Sequence, residues 1–313
     1  MRILFFGTSS FAVPALEALG DQGETLVAVV TQPDRPAGRG GRLTASPVKD
    51  AALARVLPVL QPDSVRTPAF LDAARALTPE LIVVAAYGQF LPDALLALPA
   101  HGAVNLHGSL LPAWRGAAPI QRAIWHGDAT AGVCLMWMVR AMDAGDVIAC
   151  TETPIAPEDT AGTLGARLAT LGAALLLTWL PALARDAAPH CPQDPARVTL
   201  APPIRKEERA VTWGGPADVI ARQVRALAPT PAATTRFRGE PVKVLLARPA
   251  EGTSTAVPGT ILTARTDGLF VATGAGVVEI LTLQPAGKRP MAGRDFLRGV
   301  RLQPGEGFAE DGV

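Results

Sequence analysis

A chain of 313 residues, 49% hydrophobic and 18% charged, has the apolar content of a globular protein and the length of two domains rather than one. The apolar run Leu171–Leu183 is interrupted by Thr178 and Pro181 and is too short for a bilayer span. Met1–Gly7 has no cleavage site of a secretory leader behind it, so a cytoplasmic protein without membrane association is expected. Cys134, Cys150 and Cys191 are odd in number, widely spaced and match no ligand pattern, which reads as ordinary thiols rather than a disulfide framework or a metal site.

In chain order, strands are predicted at Arg2–Phe6, Leu26–Thr31, Leu81–Tyr87, Ala103–His107, Val133–Met138 and Val147–Thr153. Helices are predicted near Val13–Leu19, Val48–Arg55, Phe70–Leu77, Ala117–Trp125 and Thr163–Leu183. Valine-, isoleucine- and leucine-rich runs without polar alternation fit strands covered on both faces, so the fold class is α/β with a doubly wound, mostly parallel, Rossmann-like sheet. The closely spaced prolines of Pro189–Pro195 and Ala201–Pro203 mark a boundary. It divides the chain into 1–189, a linker at 190–207, and 208–313. Beyond it a helix at Pro216–Leu227 and short β runs at Val242–Leu246, Gly259–Ala264, Leu269–Thr273 and Val277–Leu283 suggest a small β-barrel of the oligonucleotide-binding (OB) type.

Charge is unevenly spread. Residues 1–195 carry 13 Lys+Arg against 17 Asp+Glu, net −4, whereas residues 196–313 carry 16 against 11, net +5. A basic second part on an acidic first part is what contact with a polyanion calls for, although an arginine-rich solvated surface has the same composition. Gly7-Thr-Ser-Ser-Phe11 lacks the glycines of a dinucleotide fingerprint, Gly38–Gly41 lacks the Gly-Lys-Ser/Thr of a P-loop, and no Gly-x-Ser-x-Gly elbow surrounds Ser109. Nucleotide cofactors and covalent serine catalysis are thereby disfavoured.

The chemistry concentrates in Asn105-Leu-His107 and Asp143. Asn105 and His107 end a short apolar run and, two residues apart, project from one face of a strand. Parallel α/β sheets bind ligands at the carboxyl ends of their strands, where these residues fall. Asp143 comes 36 residues after His107, beside Ala144-Gly145, where a loop brings its carboxylate to the imidazole. An amide, an imidazole and a carboxylate together suit acyl transfer. His101, His126 and His190 have no carboxylate or second histidine at ligand spacing and read as surface or capping residues.

The stretch Val104–Gln121 with Met142–Asp146 resembles the folate-dependent formyltransferases, and the members that act on methionyl-tRNA most of all. Thr31–Leu43 with Ser46–Lys49, Pro154–Leu164 and Leu283–Lys288 extend the resemblance over nearly the whole chain. It implies transfer of a formyl group from 10-formyltetrahydrofolate to the α-amine of methionyl-initiator tRNA, by a monomer that uses no metal. It implies catalytic roles for Asn105, His107 and Asp143: Asn105 donates to the oxyanion, His107 shares that charge or shuttles the proton, and Asp143 orients His107. Ser109, Leu110, Leu111 and Pro112 would hold the folate, with Tyr87 and Gly88 at the pocket's edge. The cationic loop Pro33–Lys49, with Arg35, Arg39, Arg42 and Lys49, would be exposed and mobile and would meet the acceptor end of the tRNA, Arg39 above all; Lys206 would lie near the tRNA path. One departure stands out: Leu227–Phe237 has the family's prolines but lacks their aromatic companions. Formyl transfer to a small amine such as an amino-sugar nucleotide, and a non-catalytic RNA-binding protein, are the alternative functions.

Overall fold

A computed structural model describes residues 1–37, 42–262 and 268–310. In the first half the chain runs β1 (Arg2–Gly7), α1 (Val13–Asp21), β2 (Thr25–Val30), β3 (Arg35–Ala37), β4 (Arg42–Thr44), α2 (Pro47–Ala54), β5 (Val59–Leu60), α3 (Pro68–Ala76), β6 (Leu81–Ala85), α4 (Asp93–Leu96), β7 (Ala103–His107) and β8 (Arg115–Gly116). It continues with α5 (Pro119–His126), β9 (Thr130–Trp137), β10 (Val147–Pro154), α6 (Ala161–Leu183), β11 (Leu200–Ala201) and α7 (Ala217–Leu227). The last part holds β12 (Ala233–Phe237), β13 (Glu240–Ala250), β14 (Leu269–Ala272), β15 (Val277–Pro285), β16 (Met291–Ala292), α8 (Gly293–Arg298) and β17 (Phe308–Ala309). Two compact units result, one of residues 1–116, 130–153 and 165–201, the other of residues 117–129, 154–164 and 202–313. The contact pattern thus groups 190–201, expected as linker, with the first unit.

In the first unit seven strands form one sheet in the order β10-β9-β7-β6-β1-β2-β5. The pairs β1–β2, β1–β6, β6–β7 and β2–β5 are parallel, and β7–β9 is antiparallel. β1 and β6 are buried along most of their length with no polar alternation, as strands covered on both faces require. Helix starts follow ordinary capping chemistry: the Ser46 hydroxyl accepts from Lys49 N–H at 3.0 Å, and Thr67 accepts from Phe70 N–H at 3.3 Å, each before a proline at the first helical position. α6 lies over β7 and β9. A side chain at its Gly172 would meet Val133 and Leu106, so Leu106 faces the helix while Asn105 and His107 look the other way.

The helix expected near Thr163–Leu183 is α6, Ala161–Leu183; as a whole helix, unlike the run Leu171–Leu183 alone, it is long and apolar enough by length and composition to cross a membrane. Leu168, Leu176, Leu180 and Leu183 on it are buried, which makes it a core helix. Cys134 and Cys150 correct the expectation of simple thiols. Neighbouring strands β9 and β10 bring them together as a disulfide with Cα atoms 4.1 Å apart, leaving Cys191 free and exposed; strand pairing, not sequence spacing, makes the bond.

The second unit contains an antiparallel sheet in the order β14-β15-β13-β12-β17, with β16 beside β15, curled as an OB-like half-barrel. α7 buries Ile220, Val224 and Leu227 against Val242, Val244 and Ile280. Trp213 keeps its indole N–H satisfied inside that core by donating to Thr235 Oγ1 at 3.0 Å, and Thr235 in turn donates to the Ala309 carbonyl at 2.7 Å. The strand expected at Gly259–Ala264 is reduced to isolated bridges, Thr260 to Gly307 and Ile261 to Val271, and its end lies outside the described residues. In its place β12, hidden behind Pro229 and Pro231, pairs with β13.

Candidate active site

His107 is the last residue of β7, at the carboxyl end of the parallel strands, and is 5% exposed. Its two ring nitrogens face different partners. Nε2 lies 3.0 Å from the Trp114 carbonyl, which only accepts, so Nε2 is the donor; Nδ1 lies 3.6 Å from Asp143 Oδ2. Trp114 presents that carbonyl from a left-handed conformation, φ +61, and its N–H donates to Thr199 Oγ1 at 2.9 Å. Asp143 is left-handed too, φ +49, and its Oδ2 also accepts the Gly116 N–H at 2.9 Å. Such backbone geometry is disfavoured for side-chain-bearing residues and persists where the surroundings enforce it. Gly116 itself has φ +128, and a Cβ there would meet the Ala201 carbonyl at 2.6 Å, so β8 approaches β11 as only glycine allows.

Asn105 pairs across the sheet with Val84 and Met136 and is half-buried. Among the described residues its amide has no hydrogen-bond partner, so both N–H groups remain for a ligand on the His107 side of the strand. The structure therefore brings Asn105, His107 and Asp143 to the same end of β7, with an unpartnered amide, an imidazole and a carboxylate.

The stretch after β7 folds on itself. Ser109 is buried and its hydroxyl donates to the Ala113 carbonyl at 2.6 Å, Leu111 N–H points at Cys134 Sγ at 3.3 Å, Leu110 packs against Gly132, and Pro112 is buried. Ser109 is thus committed to its own turn. Tyr87 is a core residue: it is 2% exposed, packs edge-on against Phe6, and burial pushes its phenol up to about 12. Gly88 follows it at φ +95. A cleft of about 330 Å³ opens elsewhere on this unit, lined by Leu96, Ala103, Trp137, Met138, Val139, Gly145, Asp146 and His190 among others. Ala103 shares the β7 face with Asn105 and His107, and Gly145 and Asp146 continue the Asp143 loop. Sequence reasoning missed this cleft; the apolar pair Met138-Val139 at the end of a predicted strand was its only sequence trace.

Part of the cationic stretch is regular structure, since β3 and β4 form an antiparallel hairpin and α2 begins at Pro47, and Pro36, Leu43 and Thr44 on the hairpin are exposed as expected. Arg35 is exposed. Arg39 and the side chain of Arg42 lie outside the described residues. Lys49 donates to Asp34 Oδ2 at 2.7 Å, and that ammonium, with Gln61, holds the Asp34 carboxyl below its usual range. Lys206 is exposed in the second unit. Close by in sequence, Glu208 is bound by both Nη atoms of Arg122 at 2.7 and 3.0 Å, which holds its carboxyl down at about 2. The remaining histidines do meet carboxylates through space: His101 with Asp186 at 2.7 Å, His126 with Asp128 at 2.6 Å, and His190 with Asp146 at 3.5 Å while stacked on Trp137. Two of these pairs join residues far apart in sequence. Among the described residues no group of three or more His, Cys, Asp and Glu side chains is arranged to hold a metal.

Residues 1–180 match the family model for formyl transferase, and residues 203–301 match that for the formyl transferase C-terminal domain. The chain is 46% identical over 306 residues to the methionyl-tRNA formyltransferase of Moorella thermoacetica, covering 98% of each. Two solved structures share the fold. That of HypX from Aquifex aeolicus in complex with tetrahydrofolic acid has a TM-score of 0.66 at 20% identity, over 95% of this chain but only 47% of that one. An N-formyltransferase from Helicobacter canadensis, in complex with folinic acid and dTDP-3-aminofucose, has a TM-score of 0.68 at 14% identity, over 91% of this chain and 99% of the other.

Proposed function

The chain belongs to the formyl transferase family, and from that membership we propose that it transfers the formyl group of 10-formyltetrahydrofolate to the α-amino group of methionyl-initiator tRNA. The observation that carries the chemistry is the convergence of His107, Asp143 and the unpartnered Asn105 amide at the carboxyl end of β7. Near-full-length identity to a methionyl-tRNA formyltransferase, with both family domains matched, carries the choice of acceptor.

The formyl donor is a substrate with an amide-like carbonyl. Attack by the neutral amine forms the new C–N bond and places negative charge on the formyl oxygen, and collapse breaks the bond to N10 of the folate. Asn105 donates an N–H to that oxygen, where preorganised donors are worth most. His107 shares that charge, or moves the proton from the attacking amine to the departing N10 once its Nε2 leaves the Trp114 carbonyl, and Asp143 fixes the ring. No covalent bond to the protein forms. The folate ring system then sits at the carboxyl end of β7, against the Ser109–Pro112 turn and the Tyr87–Gly88 corner, rather than in the cleft lined by Ala103, Met138 and Val139 at the strand's other end.

Residues 1–189, extended by 190–201, carry catalysis on this reading, and 208–313 with Lys206 meet the tRNA, while Arg35, Arg39 and Arg42 reach its acceptor end. The protein works as a monomer in the cytoplasm. Incubating it with 10-formyltetrahydrofolate and methionyl-initiator tRNA should release tetrahydrofolate and yield N-formylmethionine on hydrolysis of the tRNA ester. Product from an amino-sugar nucleotide but none from charged tRNA would overturn the assignment of acceptor.

A further inference from the structure

Cys191, Pro192, Asp194 and Pro195 are exposed, and Gln193 is the half-buried residue among them. Its side chain uses its hydrogen-bonding capacity on the loop that carries Asp143. Nε2 donates to the carbonyls of Asp143 at 2.9 Å and Gly145 at 2.7 Å, and Oε1 accepts from Arg115 Nε at 3.0 Å and Nη2 at 2.8 Å. With two N–H donors and one oxygen, a primary amide can do little more.

These bonds close a circuit. Arg115 precedes Gly116, whose N–H binds Asp143 Oδ2; Asp143 hands its own carbonyl to Gln193, and Gln193 returns to Arg115. The loop is pinned further at Asp146, whose carbonyl accepts from Trp137 N–H at 2.9 Å. A Cβ on Gly145 would run into the Trp137 carbonyl, so this stretch sits too tightly to adjust by a small slide. Asp143, left-handed and 3.6 Å from His107, has its backbone carbonyl and its carboxylate fixed by separate partners that Gln193 links.

We propose that Gln193 is a positioning residue for formyl transfer: it holds the Asp143–Gly145 backbone so that the Asp143 carboxylate stays against His107. This rests on the reading of Asp143 and His107 as catalytic. Gln193 touches neither the imidazole nor the carboxylate, so its effect runs through Asp143. Partners of this kind behind a functional group commonly cost about 10- to 100-fold when removed, as seen for the outer shells of metal sites.

The test uses the full-length protein with Gln193→Ala, Gln193→Glu, Asp143→Ala and the double variant Asp143→Ala/Gln193→Ala. Gln193→Ala should lower kcat about 10- to 100-fold with KM for both substrates within about twofold. Glutamate fills the same space and keeps Arg115, but sets an oxygen against two carbonyls, so it should not rescue kcat. In the Asp143→Ala background the second substitution should add less than about twofold, and amide exchange at Gly116 should accelerate in Gln193→Ala.

Normal turnover in Gln193→Ala or Gln193→Glu, or multiplying losses in the double variant, would overturn the proposal while leaving the catalytic reading intact. Normal turnover in Asp143→Ala would overturn both. Loss of folding in both Gln193 variants, read by thermal melting, would make the amide a stability element and likewise end the proposal.

Discussion

The His107 imidazole is tied to the Trp114 backbone, 3.0 Å from Nε2 to the carbonyl oxygen, by a residue whose φ of +61 aims that carbonyl at the ring. A backbone acceptor makes this contact insensitive to the side chain at 114 but sensitive to the backbone. Trp114→Gly should therefore keep turnover within about threefold, because glycine adopts positive φ freely. Trp114→Pro fixes φ near −65° and deletes the N–H that Thr199 accepts, and should lower turnover by about tenfold or more, the scale of one oriented hydrogen bond. Equal single-turnover rates in the two variants would show that the Trp114 carbonyl does not hold the ring.

Asn105→Ala, His107→Ala and Asp143→Ala are each expected to reduce turnover far more than tRNA affinity, since their partners develop charge only in the transition state. Removing one such donor costs about 10²–10³ in rate. Single-turnover kinetics with preformed complexes separate the two effects. A near wild-type rate for Asn105→Ala or His107→Ala would remove the mechanism.

Much of this site was legible before any coordinates. Asn105 and His107 announce themselves because the two-residue period of a strand puts them on one face at its end, β6 because its run is uniformly apolar, and β1 because its run is apolar after Arg2. What escaped was of another kind. The Trp114 carbonyl is a backbone atom, without a residue-type signature, and positive φ at tryptophan runs against its own preference. Gln193 was masked by the prolines around it, which punctuate chains whether or not the segment packs. The β3–β4 hairpin was masked by arginine, glycine and proline, the composition of a loop, and β12 by its flanking Pro229 and Pro231. The pairs His101–Asp186 and Cys134–Cys150 arise from sheet and helix packing between residues at no characteristic spacing.

The Arg122–Glu208 pair gives the second unit a defined response to acid. Arg122 holds Glu208 at about 2 in the folded protein against an ordinary value of 4.5. A depressed carboxylate binds fewer protons folded than unfolded, so its contribution to stability is fully present above about pH 4.5 and disappears as pH falls toward 2. Glu208→Gln should melt below the wild type at pH 7, and the gap should close between pH 4.5 and 2. A gap that stays constant down to pH 2 would mean that the pair does not stabilise the fold through its charge.

The cations proposed to meet the tRNA should differ in effect according to whether they already have a partner. Lys49 is neutralised locally by Asp34 at 2.7 Å, whereas Arg35 is exposed. Arg35→Ala and Arg39→Ala should raise KM for methionyl-tRNA and leave folate affinity unchanged, and Lys49→Ala should raise it less. Steady-state kinetics with each substrate varied in turn decide this; a larger effect at Lys49 than at either arginine would place the acceptor end on α2 instead of the hairpin.

The net charge of +5 on residues 196–313 is either a tRNA platform or a solvated surface, and salt distinguishes them. Each phosphate neutralised releases condensed counterions, which steepens the log–log dependence of affinity on salt by roughly 0.7–0.9. Lys206 is exposed in the second unit, so Lys206→Ala can be made without disturbing a core. If its ammonium meets a phosphate, the slope for methionyl-tRNA binding should fall by roughly 0.7–0.9, with folate affinity and melting temperature unchanged. A neighbouring exposed acid, Glu207, provides the control: Glu207→Gln lowers the same local negative charge but removes no cation, and should leave the slope where it was. An unchanged slope in Lys206→Ala would mean that this lysine belongs to the solvated surface and that the phosphates are gripped elsewhere.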